Sequence, residues 1–307
     1  MIKKVLGATL LAAASSFLSG PTFAEELFVP HLTGVNAGSA TGTILPEGWY
    51  FVNATTYLSG PSFSGTTATN VNVLAFVEIP EAVYSSPWTF LGARYAAAIA
   101  EPWDIVALNG IGGATSGFDN AAAFSTVVTP FILSWDLPNN LHVVARTEVY
   151  IPDGAYRNPI NHALGNINAL DFFSFEPAVG LSWLSDGWNV SLKGYFDFNL
   201  QNQDNNYKSG DIFGTEESIT KTIGKWKVGV TGFTETQISN DTGSDVALIN
   251  GPQALIDGHR SNSYGGGPFV GYNFGPVNFE VWYDQTFATQ NNVGGGLLFT
   301  RLTIPLS

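Results

Sequence analysis

The sequence predicts an all-β protein, a closed antiparallel transmembrane β-barrel of about 12 strands with short periplasmic turns and long external loops. Three observations lead there. The first is composition: of 307 residues, 45% are hydrophobic and 13% aromatic but only 12% charged, with 34 Gly and no Cys. Soluble globular chains carry about 25% charged residues, so the composition argues against an ordinary cytoplasmic enzyme and rules out a charge-rich disordered chain. Beyond the first 24 residues no run approaches the ~18 consecutive apolar residues of a spanning helix. The second observation is period-two alternation over stretches long enough for the ~9–11 residues of a tilted membrane strand. The third is that short and long connections alternate along the chain.

At the N-terminus, Lys3 and Lys4 precede a mostly apolar run from Val5 to Leu18, and Thr22-Phe23-Ala24 is a small-residue exit before Glu25. This reads as a secretory signal peptide over 1–24, cleaved between Ala24 and Glu25. Its removal takes Lys+Arg from 12 to 10 against 25 acids, so the net charge moves from −13 to −15. So acidic a chain does not attract nucleic acid. Export without cysteine fits a bacterial envelope protein that no disulfide staples. Residues 25–47 are Gly/Thr/Ala-rich and include His31. They read as an N-terminal lead in the periplasm or as a plug in the barrel mouth.

The barrel then occupies 48–307. Twelve strands are expected at 48–60, 70–83, 88–101, 122–136, 141–152, 172–184, 188–199, 208–222, 226–238, 263–273, 277–287 and 294–306. From 188 to 199, Trp188, Val190, Leu192, Phe196 and Phe198 alternate with Asn189, Ser191, Lys193, Tyr195 and Asp197. From 141 to 151, Leu141, Val143, Ala145 and Val149 alternate with His142, Arg146, Glu148 and Tyr150. Phe279 and Tyr283 likewise alternate with Glu280, Trp282 and Asp284. Short connections fall at 84–87, 137–140, 185–187, 223–225 and 274–276, and long ones at 61–69, 102–121, 153–171, 200–207, 239–262 and 288–293. A soluble sandwich has no reason to sort its loops by side. Trp88, Trp188 and Trp226 each open a strand after a short turn, which sets them in one girdle at the periplasmic interface. Both chain ends are expected on that same side.

In hydrocarbon every backbone N–H and C=O must pair within the protein, so the sheet closes. Charges on its lipid face would cost up to ~2–4 kcal/mol each near the midplane. The polar face therefore points inward, and the expected lumen carries Arg146, Glu148, Lys193, Asp197, Glu280 and Arg301, with Lys227, Glu235 and Asp284. Aromatic residues interleave with them: Tyr150, Tyr195, Phe233, Trp282 and Phe299. Twelve strands give a bore between side-chain-filled eight-stranded barrels and open sixteen-stranded porins. A narrow path with aromatic surfaces suits small, poorly charged solutes; the same mixed interior also serves simply to pack the barrel.

Several strings share an order and spacing: Val149-Tyr150-Ile151-Pro152-Asp153-Gly154, Phe175-Glu176-Pro177-Ala178-Val179-Gly180, Ile223-Gly224-Lys225-Trp226-Lys227-Val228-Gly229, and Gly258-His259-Arg260 leading to Gly267-Pro268-Phe269-Val270-Gly271-Tyr272-Asn273-Phe274-Gly275. From about residue 46 to the end the chain resembles the MetA-pathway of phenol degradation family, also called the SphA-like transporter family. The resemblance implies an outer-membrane β-barrel that transports aromatic or other hydrophobic compounds, and it transfers no catalytic or binding residue. Two departures are the ending Ile304-Pro305-Leu306-Ser307, without a terminal aromatic, and Phe118-Asp119-Asn120, where a Gly-Asp pair is usual.

Enzymatic signatures are missing from the sequence. His31, His142, His162 and His259 fall in no H-E-x-x-H or zinc spacing. No G-x-S-x-G elbow occurs. Asp241 and Asp245 lie in a loop without the EF-type calcium pattern. The expectation is a passive, non-enzymatic outer-membrane channel without cofactor or metal, its partners being outer-membrane lipid and small hydrophobic solutes. A barrel whose loops bind a partner, or one acting on lipid through His142, are the alternatives.

Overall fold

Period-two alternation becomes hairpins throughout. The computed structural model describes residue 26 and residues 29–109, 121–156, 169–250 and 258–306. The signal cleavage at Ala24 and Glu25, His162 and the Phe118-Asp119-Asn120 departure lie outside the described residues. Among those described, fourteen strand segments follow in order: β1 (Gly48–Ser64), β2 (Thr67–Phe90), β3 (Ala93–Ala100), β4 (Trp103–Asn109), β5 (Ala122–Ala123), β6 (Thr126–Leu137), β7 (Leu141–Ile151), β8 (Ser174–Ser185), β9 (Trp188–Asn199), β10 (Ile212–Ile223), β11 (Trp226–Gln237), β12 (Asn262–Asn273), β13 (Asn278–Gln290) and β14 (Gly296–Pro305). All neighbours are antiparallel, and β1 closes the sheet by pairing with both β14 and β2.

Fourteen segments make twelve staves. β2 pairs with β3 at its periplasmic end, Glu81 opposite Ala100, and with β4 at its outer end, Asn72 opposite Asn109. β3 and β4 are thus one stave broken at Glu101-Pro102, where Pro102 supplies no N–H. β5 and β6 are likewise one stave broken at Phe124-Ser125. The long connection expected at 102–121 therefore begins with strand.

The first two staves differ from the expected outline. The turn expected at 84–87 is strand: β2 runs on through Pro87, at a register shift between Ser85 and Thr89 that accommodates the missing donor. The turn falls instead at Leu91-Gly92, both with positive φ (53° and 75°), as a two-residue hairpin of this kind requires. Trp88 therefore precedes its turn, whereas Trp188 and Trp226 open β9 and β11. The outer connection expected over 61–69 is also a tight turn, with β1 and β2 extending to Ser64 and Thr67.

Outward positions of β8 and β9 carry Val179, Leu181, Trp183, Val190, Leu192, Phe196 and Phe198, all exposed on the isolated chain where lipid covers them. The opposite positions, among them Glu176, Lys193, Tyr195 and Asp197, are buried. The first described residue, Glu26, and the end of β14 lie on opposite sides, whereas both chain ends are expected on one. Pro305 pairs with Tyr50 at the periplasmic rim, whereas Glu26 is held by residues of the outer loops. The reason is that residues 29–47 thread the barrel from end to end.

Candidate functional site

The threaded segment is a string of tight turns. Val35 N–H bonds Leu32 O, Ala37 N–H bonds Gly34 O, and Ser39 N–H bonds Asn36 O. Gly34 and Gly38 have φ of 89° and 78°, a conformation glycine adopts without strain. Such turns leave many backbone groups free for the wall. At the outer end, Glu26 accepts hydrogen bonds from Tyr156 Oη (2.6 Å), Asn202 Nδ2 (2.7 Å) and Asn205. Burial pushes its carboxyl up to about 7 against the opposing pull of those donors.

Deeper in, His31 sits between two carboxylates, with Nδ1 2.9 Å from Glu176 Oε2 and Nε2 3.2 Å from Glu216 Oε1. Tyr195 lies against its ring at 4.2 Å between centroids. Asn36 N–H donates to Glu216 Oε1 at 3.0 Å, and Thr33 donates to Glu235. On the β13–β14 side, Trp282 Nε1 donates to Gly34 O (3.2 Å), and Arg301 donates to Val35 O (3.3 Å) and Ala37 O (3.2 Å). Glu280 holds Arg301 Nε and Lys227 Nζ, each at 2.9 Å. Trp282 stacks on Phe299 at 4.9 Å, and both pack with Phe233, Phe269 and Ala37. Toward the periplasm, Gly42 N–H donates to Ser182 Oγ (2.7 Å), Arg94 to Thr43 Oγ1 (2.9 Å) and Ser85 Oγ to Leu45 O (2.8 Å). The wall comes closest at Gly180, where a Cβ would stand 1.9 Å from Thr41 O.

The segment leans on one half of the barrel and leaves the other open. Beside it runs a cavity of about 900 Å³. Its far wall is mostly small and apolar, with Val52 and Ala54 of β1, Val73 and Ala75 of β2, Ala96 of β3, Val106 of β4 and Ile132 of β6, interrupted by Thr56, Asp104 and Thr129. Glu81, Arg146 and Glu148 mark its polar edge, with Arg146 paired to Glu148.

The residues read from sequence as lumen-facing divide between these two surroundings. Arg146, Glu148, Tyr150, Lys193, Phe233, Glu280 and Arg301 line the cavity. Tyr195, Asp197, Trp282 and Phe299 are buried under the threaded segment. Trp88, Trp188 and Trp226 are exposed, at 66%, 42% and 54%. Glu176 and Glu216, the partners of His31, are not among the lumen residues expected from sequence. Period two signals Glu176, which alternates with Phe175 and Pro177. For Glu216 the neighbouring Glu217 hides which of the pair faces inward.

Residues 59–302 match the family model described as "Putative MetA-pathway of phenol degradation". Among solved structures, the COG4313 outer membrane channel from Pseudomonas putida F1 is similar at a TM-score of 0.73 and 14% identity, over 88% of this chain and 99% of that one. The translocator domain of the autotransporter NalP from Neisseria meningitidis is similar at 0.46 and 9% identity, over 99% and 98%. No curated protein matches the chain. The barrel is of the kind found in the outer membrane of Gram-negative bacteria.

Proposed function

The chain belongs to the MetA-pathway of phenol degradation family, and on that premise we propose that it is a passive outer-membrane channel for small hydrophobic compounds, aromatic ones included. The apolar cavity carries this reading. At about 900 Å³ it falls within the ~300–1,000 Å³ range of small-molecule sites. Its Val and Ala positions offer no hydrogen bonds for a sugar or amino acid to exchange for water, so polar solutes lose hydration there without return. An apolar solute gains roughly 25 cal/mol for each Å² removed from water. The similar Pseudomonas putida protein is itself described as an outer membrane channel. On this reading the lumen groups hold the threaded segment and solutes pass unaltered.

Ala75→Trp fills the cavity from the wall opposite the threaded segment. In proteoliposomes, wild-type protein is expected to speed entry of toluene or phenol over protein-free vesicles, and the folded variant to lose most of that gain. Equal entry in wild-type and empty vesicles, or an unaffected variant, overturns the proposal.

A further inference from the structure

Three side chains meet where the threaded segment crosses β7 and β8. One ligand-type atom from each of His31, Glu148 and Glu176 lies within 4.8 Å of the others, and all three residues are buried. Neighbouring side chains hold these carboxylates in place. Glu176 Oε1 accepts from Lys193 Nζ at 2.8 Å, and Glu148 Oε1 pairs with Arg146. The Tyr150 hydroxyl sits between Glu176 Oε2 (2.9 Å) and Glu148 Oε2 (3.2 Å). On the far side of the imidazole, Glu216 Oε1 faces His31 Nε2 at 3.2 Å. With Nε2 donating to Glu216, Nδ1 faces the two carboxylates, the outer-partner arrangement usual for metal-bound histidine.

Charge points the same way. Glu148 pairs with Arg146, and Glu176 and Glu216 face Lys193 as well as His31. Glu216 Oε2 and both oxygens of Asp197 are buried without a hydrogen-bond partner among the described residues. A divalent cation in place of the Nδ1 proton would add one positive charge among these carboxylates. An imidazole nitrogen beside carboxylates selects a zinc-class ion over calcium or magnesium, which take all-oxygen sets.

We propose that His31 Nδ1, Glu148 Oε2 and Glu176 Oε2 form a zinc-class divalent metal site that staples the threaded segment to the barrel wall. Its ligands come from three separate stretches of chain, so no spacing in the sequence betrays it. Binding is read without any transport measurement, so this proposal and the channel reading stand or fall separately.

The test uses the full folded chain in detergent, stripped with a chelator and titrated with Zn²⁺ by calorimetry, with metal analysis after dialysis. One zinc per chain is expected, with a melting temperature that rises with Zn²⁺ and not with Ca²⁺. His31→Gln is expected to abolish retention. Glu216→Gln, which meets His31 at the far imidazole nitrogen, is expected to weaken it about 10–100-fold. His142→Ala, at the exposed contact with Asp136, is expected to bind as wild type does. Wild-type protein that is folded by heat-modifiable mobility yet retains no zinc overturns the proposal, as does undiminished zinc in His31→Gln.

Discussion

Glu26 makes the outer anchor of the threaded segment sensitive to pH. Its carboxyl is buried among Tyr156, Asn202 and Asn205, and burial lifts it from 4.5 to about 7. A carboxyl whose docked value lies above its free value binds more protons when docked. Docking is therefore strongest below pH 4.5 and weakens as pH rises toward 7. At about 1.4 kcal/mol per pH unit, the loss is about 3 kcal/mol, on the order of a hundredfold in the docking equilibrium. The effect is confined to the outer end, because the next anchor inward is His31 between Glu176 and Glu216. The chain has no cysteine, so Val29→Cys gives a unique nitroxide site two residues before that anchor. Its spectrum is expected to be immobilised at pH 5 and to gain a mobile component by pH 8. In a Glu26→Gln background it is expected to stay immobilised throughout. An equal pH response in that background, or none in the parent, refutes the reasoning.

Two further substitutions probe the fold around the site. Gly180→Ala sets a methyl 1.9 Å from Thr41 O, a clash of backbone with strand that no rotamer relieves. Overpacking of this kind costs about 1–3 kcal/mol, so the periplasmic end of the segment should leave its seat and raise single-channel conductance in planar bilayers; wild-type conductance counts against that. Leu91 holds φ of 53° in the β2–β3 turn, which costs a branched residue roughly 1–2 kcal/mol. Leu91→Gly is therefore expected to raise the urea midpoint of unfolding, and a lowered midpoint means that the Leu91 side chain contributes more than its backbone costs.

Most of the barrel is legible in the sequence because membrane strands obey two rules at once. Side chains alternate between lipid and lumen, and connections sort by side. From β7 to β14 both rules hold, and the expected spans lie close to the observed ones. They fail where local signals compete. Ser85-Ser86-Pro87 carries turn residues, yet β2 passes through them because a register shift absorbs the proline. The real turn uses Leu91, a residue type turns disfavour. At Glu101-Pro102 the stave breaks without ending, since β4 takes up the pairing with β2 where β3 leaves it. The site is harder to read than the staves. His31 meets Glu176 and Glu216 across separations of 145 and 185 residues, and periodicity carries no information about which inward groups a threaded segment will touch.

Polar groups inside a barrel for apolar solutes pose a physical problem, and the threaded segment resolves it. Arg301, Lys227 and the glutamates cannot face lipid, yet left hydrated in the lumen they would fill the bore with ordered water. Here Arg301 donates to Val35 O and Ala37 O, Trp282 to Gly34 O, and Asn189 to Gly38 O. Glu216 receives the Asn36 N–H. The wall's side chains and the segment's backbone satisfy one another, which accounts for a segment rich in Gly, Ala, Ser and Thr, whose short side chains leave the backbone within reach. Polarity gathers on the β8–β14 side, and Val and Ala predominate on the β1–β4 side. The aromatic and ionic mixture seen in sequence is therefore two surfaces, one that holds the segment and one that meets the solute. Substitutions on the first should act on conductance through the segment's position, and substitutions on the second should act on solute entry directly.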